Sequence, residues 1–134
     1  METILRTFLY QRSVPVQAIA YASAGGIGTT VHYAALAVLL NGAAIDLIAA
    51  STIGAILGGL VNYWLAHRKV FDSRVPHHLA LPRFAVVATG GIAINAAVLS
   101  VCATVFGAIG AQFLASSAVL ASGFLFNRMW SFRE

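Results

Sequence analysis

The chain contains 134 residues, of which 60% are hydrophobic and 9% are charged, and its formal net charge is +4. Soluble domains carry roughly 25% charged residues, so this composition excludes a water-soluble globular protein and indicates an integral membrane protein. At ~20 residues per spanning helix, the length accommodates about four helices with short connections and no separate soluble domain.

The N-terminal residues contain apolar positions at helical spacing between Ile4 and Leu9, ahead of Pro15. This pattern fits either a short helix on the membrane face that ends at Pro15 or a poorly ordered tail, and the sequence leaves both open. The first long apolar run begins at Val16 and is too long for the hydrophobic region of a secretory signal, so we expect no cleavage.

Four apolar segments predict membrane helices at about residues 17–40, 47–67, 83–106 and 113–131, with one substantial loop at residues 68–82. Small or polar residues recur every four positions in the first two segments, which predicts faces on which another helix packs closely. The first stripe comprises Ala18, Ala22, Gly26, Thr30 and Ala34, and the second comprises Ala50, Gly54, Gly58, Asn62 and Ala66. The sequence therefore predicts an all-α integral membrane fold of two helical hairpins.

The basic residues all fall on one side of a four-pass topology. They lie before the first segment, around the central loop and at the C-terminal end: Arg6, Arg12, Arg68, Lys69, Arg74, Arg83, Arg128 and Arg133. The opposite connections, residues 41–46 and 107–112, contain none. The positive-inside rule predicts one fixed orientation, with both termini and the central loop in the cytoplasm.

The two halves of the sequence share local patterns. Gly25-Gly26-Ile27 recurs as Gly90-Gly91-Ile92 at an offset of 65 residues, whereas the helix ends 62–71 and 123–132 match at an offset of 61. Because each half contains two passes, both halves have the same orientation, so the pattern predicts a parallel internal repeat. Both offsets remain open at this point.

The second helix end keeps Asn127, Arg128, Trp130 and Phe132 of the pattern Asn-aromatic-x-x-Asn-Arg-x-Trp-x-Phe, with Gly123 at the first Asn. A hairpin with an early Gly-Gly pair, followed by a helix with this ending, resembles the GtrA-like family of small four-pass membrane proteins. The resemblance covers essentially all of residues 17–133.

The first helix end is a looser copy of the same pattern. It keeps Asn62 and Phe71, but Ala66, His67 and Lys69 replace the second Asn, the Arg and the Trp. If one of the two copies binds a lipid phosphate, we therefore expect it to be the second.

The resemblance implies one GtrA-like membrane domain over residues 1–134, with repeat 1 at about 17–71, a cytoplasmic loop at 72–82 and repeat 2 at about 83–132. It implies a multi-pass protein of the bacterial cytoplasmic membrane that flips a polyprenyl-phosphate-linked monosaccharide, such as undecaprenyl-phosphate glucose, for polysaccharide modification. A membrane glycosyltransferase would supply this lipid. Two alternatives are a membrane anchor or scaffold for that transferase and, ranked last for want of a membrane-embedded carboxylate, a small-molecule exporter.

Candidate phosphate ligands are the cations at the cytoplasmic helix ends, Arg128, Arg68 and Lys69. A polyprenyl phosphodiester carries one negative charge, which an Arg side chain can bind with paired hydrogen bonds. The alternative is that these residues fix the topology and bind ordinary anionic lipids.

Candidate residues for the sugar and its path are Asn127, Trp130, Asn62, Asn95 and His32. Polar groups within apolar spans must face another helix or a wet cavity, because an unpaired one in hydrocarbon costs several kcal/mol. The alternatives are interfacial anchoring for Trp130, an interhelical hydrogen bond for Asn95, and packing or hydrogen bonding for His32.

No catalytic constellation or nucleotide-binding loop is visible, so we expect no enzyme activity, no cofactor and no nucleic-acid partner. His77-His78 without further ligands makes a poor metal site. With no sign of ATP use, transport is expected to be facilitated. Four helices enclose little volume, and the small-residue stripes suggest a homo-oligomer, with a dimer favoured.

Overall fold

The structure is a computed structural model that describes residues 13–43 and 45–134. Regular secondary structure within these ranges is entirely helical. The chain divides into two compact units, Met1–Asp72 (unit 1) and Ser73–Glu134 (unit 2). The surface helix considered for the N-terminal residues falls on residues 1–12, outside the described ranges.

Unit 1 is a helical hairpin. Helix α1 spans Val14–Gly42, and helix α2 spans Leu47–Leu65 and continues as a π-helical turn, Ala66–Val70. Pro15 lies in the first turn of α1, where the helix needs no backbone N–H from it. Asp46 Oδ1 accepts a hydrogen bond from the Ala49 backbone N–H at 3.0 Å, so this exposed carboxylate caps α2.

Unit 2 contains the helical run His77–Phe126, followed by a second π-helical turn, Asn127–Ser131. The run is broken at Gly107, whose φ of 70° and ψ of 174° are accessible only to glycine at little cost. We call residues 77–106 helix α3 and residues 108–126 helix α4. The predicted turn at residues 107–112 is therefore too long, because one glycine reverses the chain.

Contacts between the two halves of the run show that α4 folds back along α3. A straight 50-residue helix would be about 75 Å long, yet a Cβ placed on Gly91 would lie 3.1 Å from Val119 Cγ1. Near the other end, the Arg83 side chain bonds to the Trp130 carbonyl. Unit 2 is thus a second helical hairpin.

The central connection is shorter than the predicted loop at residues 68–82. The π-helical turn extends to Val70, and α3 begins at His77, six residues before the predicted start at Arg83. The Pro76 carbonyl accepts the backbone N–H groups of Leu79 and Ala80 at 2.9 Å. The residues before Pro82 are helical because this first turn is hydrogen-bonded and buries the Ala80 side chain.

The α2 face predicted from small residues is the buried one. Ala50, Gly54, Gly58 and Ala66 are buried and Asn62 is half-buried. The predicted α1 stripe does not face α2. Gly26 is exposed, whereas Gln17, Tyr21, Ala24 and Gly28 on the opposite side are buried.

The helices of unit 1 cross where two glycines bring their backbones together. A Cβ placed on Gly28 would lie 2.7 Å from the Gly58 carbonyl oxygen and 2.9 Å from Asn62 Cβ. No side chain fits at such separations. Gly28, rather than Gly26, therefore sets the position of α1 on α2.

Both hairpins end in the same way. In unit 1, Phe71 follows the π-helical turn and its ring centroid lies 6.0 Å from that of Tyr21. In unit 2, Phe132 follows the equivalent turn and lies 6.1 Å from Phe84. The turns are 61 residues apart, so the local structures match at the 61-residue offset.

The 65-residue offset is not reproduced, because it would pair exposed Gly26 with buried Gly91. Gly28 and Gly91 both lie at a helix crossing and are 63 residues apart. The second hairpin therefore has two fewer residues between matching positions of its helices. The parallel repeat itself stays a prediction, which these matches support.

Three helical runs in the described ranges are long and apolar enough to cross a membrane: Val14–Gly42, Ala49–Val70 and His77–Ser131. The third contains the reversal at Gly107, so it supplies two helices. The chain is an all-helical multi-pass membrane protein, while the number of passes and their orientation stay predictions.

Candidate functional site

An open groove of about 160 Å³ runs along the crossing of α1 and α2 in unit 1. Four glycines and Ala55 line much of it, so few side chains fill the space. The remaining lining residues are polar: Thr29 and His32 from α1, and Asn62 from α2. The structure thus brings together two of the predicted path residues, and adds Thr29.

Two polar atoms at this groove are unsatisfied. Asn62 Oδ1 and His32 Nε2 are buried, and neither has a hydrogen-bond partner within the described ranges. The His32 ring stacks on Tyr33 with 5.2 Å between ring centroids, and its Cδ2 would lie 2.8 Å from a Cβ placed on Gly54. Because burying an unpaired polar group is costly, these two atoms favour a polar occupant.

The helix end of unit 1 presents two cations. Arg68 and Lys69 lie in the π-helical turn and are exposed. His67, at the position of the pattern's Arg, is only 3% exposed, and its ring lies 5.7 Å from that of buried Tyr63. A buried imidazole therefore replaces the pattern's cation in the first copy.

The helix end of unit 2 separates its side chains into two groups. Asn127 and Ser131, one helical turn apart, are essentially fully buried. Arg128 is half-buried and Trp130 is 43% exposed. Asn127, a predicted path residue, is therefore part of the packed helix end in this structure, while Arg128 and Trp130 can reach a ligand.

Arg128 makes no hydrogen bond or ion pair with any residue of the described ranges, so none of its five donors is used there. Positive charge near a helix C-terminus is favourable, and the neighbouring Phe132 carbonyl is satisfied by the Ser73 hydroxyl at 2.9 Å. The Trp130 and Phe132 carbonyls are thus already bonded by groups other than Arg128.

Arg83 was predicted only as a topology determinant, yet it is part of this helix end. Its Nη1 donates to the Trp130 carbonyl oxygen at 3.2 Å, and its guanidinium carbon lies 5.9 Å from the Trp130 ring centroid. The sequence did contain a signal for this role. Arg83 stands at the predicted start of the third helix, and in a hairpin that position lies near the basic C-terminal end of the fourth helix. Arg83 therefore contacts both the backbone and the ring of Trp130.

Replacing Arg83 by Gln should lower the free energy of unfolding of the protein in detergent by about 1–2 kcal/mol, because both a charge-assisted hydrogen bond and a cation–π contact are lost. Arg133→Gln removes the same charge from an exposed residue and is the matched control. Equal unfolding midpoints for the two variants in a denaturant titration would contradict the Arg83–Trp130 contact.

Asn95, the remaining predicted path residue, lies in unit 2. Its Oδ1 accepts a hydrogen bond from Gln112 Nε2 at 3.2 Å, and the same nitrogen donates to Ser116 Oγ at 3.1 Å. Asn95 therefore makes an interhelical hydrogen bond, which was the alternative to a role in the sugar path. Gln112 was missed because the predicted turn at residues 107–112 placed it outside the helix.

A family model described as GtrA/DPMS, transmembrane domain, matches residues 20–132. No curated protein and no solved structure matches the chain. The matched range begins in α1 and ends at Phe132, so it includes the groove and both helix ends.

Proposed function

Because residues 20–132 place the chain in the GtrA/DPMS transmembrane-domain family, we propose that it flips a polyprenyl-phosphate-linked monosaccharide across the bacterial cytoplasmic membrane. Its proposed role is the supply of sugar for modification of cell-envelope polysaccharide. The proposed topology has four passes, a parallel repeat and both termini in the cytoplasm, where the basic helix ends meet the lipid phosphate.

The observation that carries this proposal is the α1–α2 groove. A sugar hydroxyl both donates and accepts hydrogen bonds, so it can pair with Asn62 Oδ1 and with His32 in either of its tautomers. The groove is lined by glycines along the helix crossing, which lets a bulky polar group approach the backbone. The prenyl chain would stay in the surrounding lipid.

The proposed phosphate ligand is Arg128, and Arg68 and Lys69 are further cations that the proposed topology assigns to the cytoplasmic side. The uncommitted guanidinium of Arg128 can bind one phosphodiester through two parallel hydrogen bonds. Trp130, two residues further along the same turn and in contact with Arg83, offers a flat ring for the sugar. Transport is proposed to be facilitated, driven by consumption of the lipid-linked sugar at the outer face.

Reconstitution of the full chain in vesicles with a labelled polyprenyl-phosphate hexose tests the proposal. We expect the labelled lipid to cross to the outer leaflet faster than in protein-free vesicles. Asn62→Leu should slow this transfer about ten-fold, a loss of about 1.4 kcal/mol. Asn41→Leu is the matched control, because the Asn41 amide bonds to the Ala37 carbonyl at the end of α1, outside the groove.

Asn62→Leu should also leave the folded protein as stable as the wild type or more stable. The variant removes a buried oxygen that has no partner among the described residues, and replacing such a group by an apolar one of similar shape is neutral or stabilising. Slower transport together with undiminished stability separates a ligand-binding role from a packing role. Slower transport with a lower unfolding midpoint would assign Asn62 to packing.

The alternative function is that of a membrane anchor or scaffold for a partner glycosyltransferase. Vesicles that show no transfer above the protein-free rate, combined with co-purification of the chain and a membrane glycosyltransferase, would favour this alternative. The scaffold function does not require the groove, so Asn62→Leu would then leave co-purification unchanged.

A further inference from the structure

A hydrogen-bonded polar cluster, defined by Asn95, Gln112 and Ser116, lies at the surface of the unit 2 hairpin. Gln112 and Ser116 are exposed and Asn95 is half-buried. Their neighbours on α4 are apolar, with Ile109 89% and Phe113 74% exposed. Lipid chains can cover the apolar residues, but they cannot pair with the amide atoms that the cluster itself leaves unbonded.

Some of the hydrogen-bonding groups in the cluster have no partner within it. The two donors of Gln112 Nε2 are used by Asn95 Oδ1 and Ser116 Oγ. Within the described ranges, Gln112 Oε1 accepts no hydrogen bond and Asn95 Nδ2 donates none. The cluster therefore presents one unfilled acceptor and one unfilled donor group on a single surface.

The geometry points to a second copy of this chain as the partner that fills both. Asn95 and Gln112 are hydrogen-bonded to each other, so they lie at the same depth. A two-fold axis along the hairpin would therefore place Asn95 Nδ2 of each copy opposite Gln112 Oε1 of the other. This is a self-complementary contact of the kind that closes two-fold dimers, and amide bonds of this type hold helices together in membranes.

This interface differs from the small-residue stripes that first suggested a dimer. Those stripes offer close packing but no reason to choose one partner, whereas the cluster requires a donor and an acceptor at a fixed spacing. The inference also places Asn95 at a contact between copies, independently of sugar transport. Its test contains no substrate, so its failure leaves the proposed function in place.

Energy transfer between donor- and acceptor-labelled copies of the full chain in lipid vesicles, over a range of protein-to-lipid ratios, measures the association. Labels can be attached through Glu134→Cys in a Cys102→Ala background, since Cys102 is the only cysteine. We expect the labelled parent to form dimers. Gln112→Leu or Asn95→Leu should each weaken the association about ten-fold, and Asn41→Leu should not change it.

Mixing the two variants gives the decisive measurement. A copy with Asn95→Leu keeps Gln112, and a copy with Gln112→Leu keeps Asn95, so one of the two reciprocal bonds survives in the mixed dimer. The mixed dimer should therefore associate about three-fold more tightly than either variant with itself, which general damage to the fold cannot produce. A monomeric parent, or mixed pairs no tighter than the variants alone, would overturn the inference.

Discussion

Gly58→Leu is expected to separate α1 from α2 and to lower the stability of the protein by more than about 3 kcal/mol, beyond the usual range for overpacking a core. A Cβ on Gly58 would meet the Gly28 carbonyl oxygen at less than contact distance and would lie 3.0 Å from His32 Cβ. The obstacle is backbone, which cannot rotate away as the end of a side chain can. Gly58→Ala should cost about 1–3 kcal/mol for the same reason.

Gly59→Ala is the matched control, because it makes the same chemical change at the next residue of α2. A Cβ on Gly59 would meet nothing within 4 Å, and alanine is favoured over glycine in a helix interior by about 1 kcal/mol. Its unfolding midpoint, followed by circular dichroism in a denaturant titration, should equal or exceed that of the wild type. If Gly58→Ala and Gly59→Ala behave alike, the helices do not cross at Gly58.

The same comparison of alanine variants, made at Gly26 and Gly28 of α1, distinguishes the helix face expected from the sequence from the face that the structure buries. The four-residue stripe predicted Gly26 as the packing position, whereas the structure buries Gly28. Small residues occur on both sides of α1, so their spacing alone does not reveal which side meets α2. The buried side carries Gln17 and Tyr21, whose polar and bulky side chains do not look like a helix-packing face in a sequence.

Helix existence could be predicted from hydropathy, but helix ends could not. A membrane span needs about 20 apolar residues, which the four segments supply. The positions of the ends depend on single contacts: the Pro76 carbonyl starts α3, and the backbone angles of Gly107 allow an immediate reversal. The π-helical turns likewise had no signal in composition, since they differ from α-helix by one hydrogen-bond register.

The sequence identified individual residues of the candidate site, but it did not show which of them lie together. His32 and Asn62 were singled out because polar groups in apolar spans need partners, yet only the crossing at Gly28 and Gly58 brings them into one groove. Arg83 was counted as a topology charge because a sequence does not show that the start of α3 lies beside Trp130. The family pattern identified Arg128 without showing that its guanidinium bonds to none of the residues in 13–43 and 45–134.

Arg128→Gln is expected to reduce transfer of the labelled lipid-linked sugar at subsaturating concentration by ten-fold to a hundred-fold. Hydrogen bonds to a charged group contribute about 1.5–3 kcal/mol, and the paired geometry of a guanidinium on a phosphodiester lies in the upper part of that range. Arg128→Lys keeps the charge but loses the paired geometry, so its transfer rate should lie between those of Gln and the wild type. Vesicle transfer rates, together with native mass spectrometry of bound lipid, measure both effects.

Arg133→Gln is the control for charge, because Arg133 is an exposed cation five residues further along the same helix end. Arg68→Gln is the control for the repeat, because it removes an exposed cation from the turn in which buried His67 replaces the pattern's Arg. If the lipid phosphate binds at the helix end of unit 2 through Arg128, Arg133→Gln and Arg68→Gln should both retain most of the transfer rate. Normal transfer by Arg128→Gln with unchanged topology would remove Arg128 from the site and leave it as one of several topology-setting cations. A loss shared equally by Arg68→Gln and Arg128→Gln would instead mean that both helix ends hold the phosphate, although only the second retains the pattern's Asn, Arg and Trp.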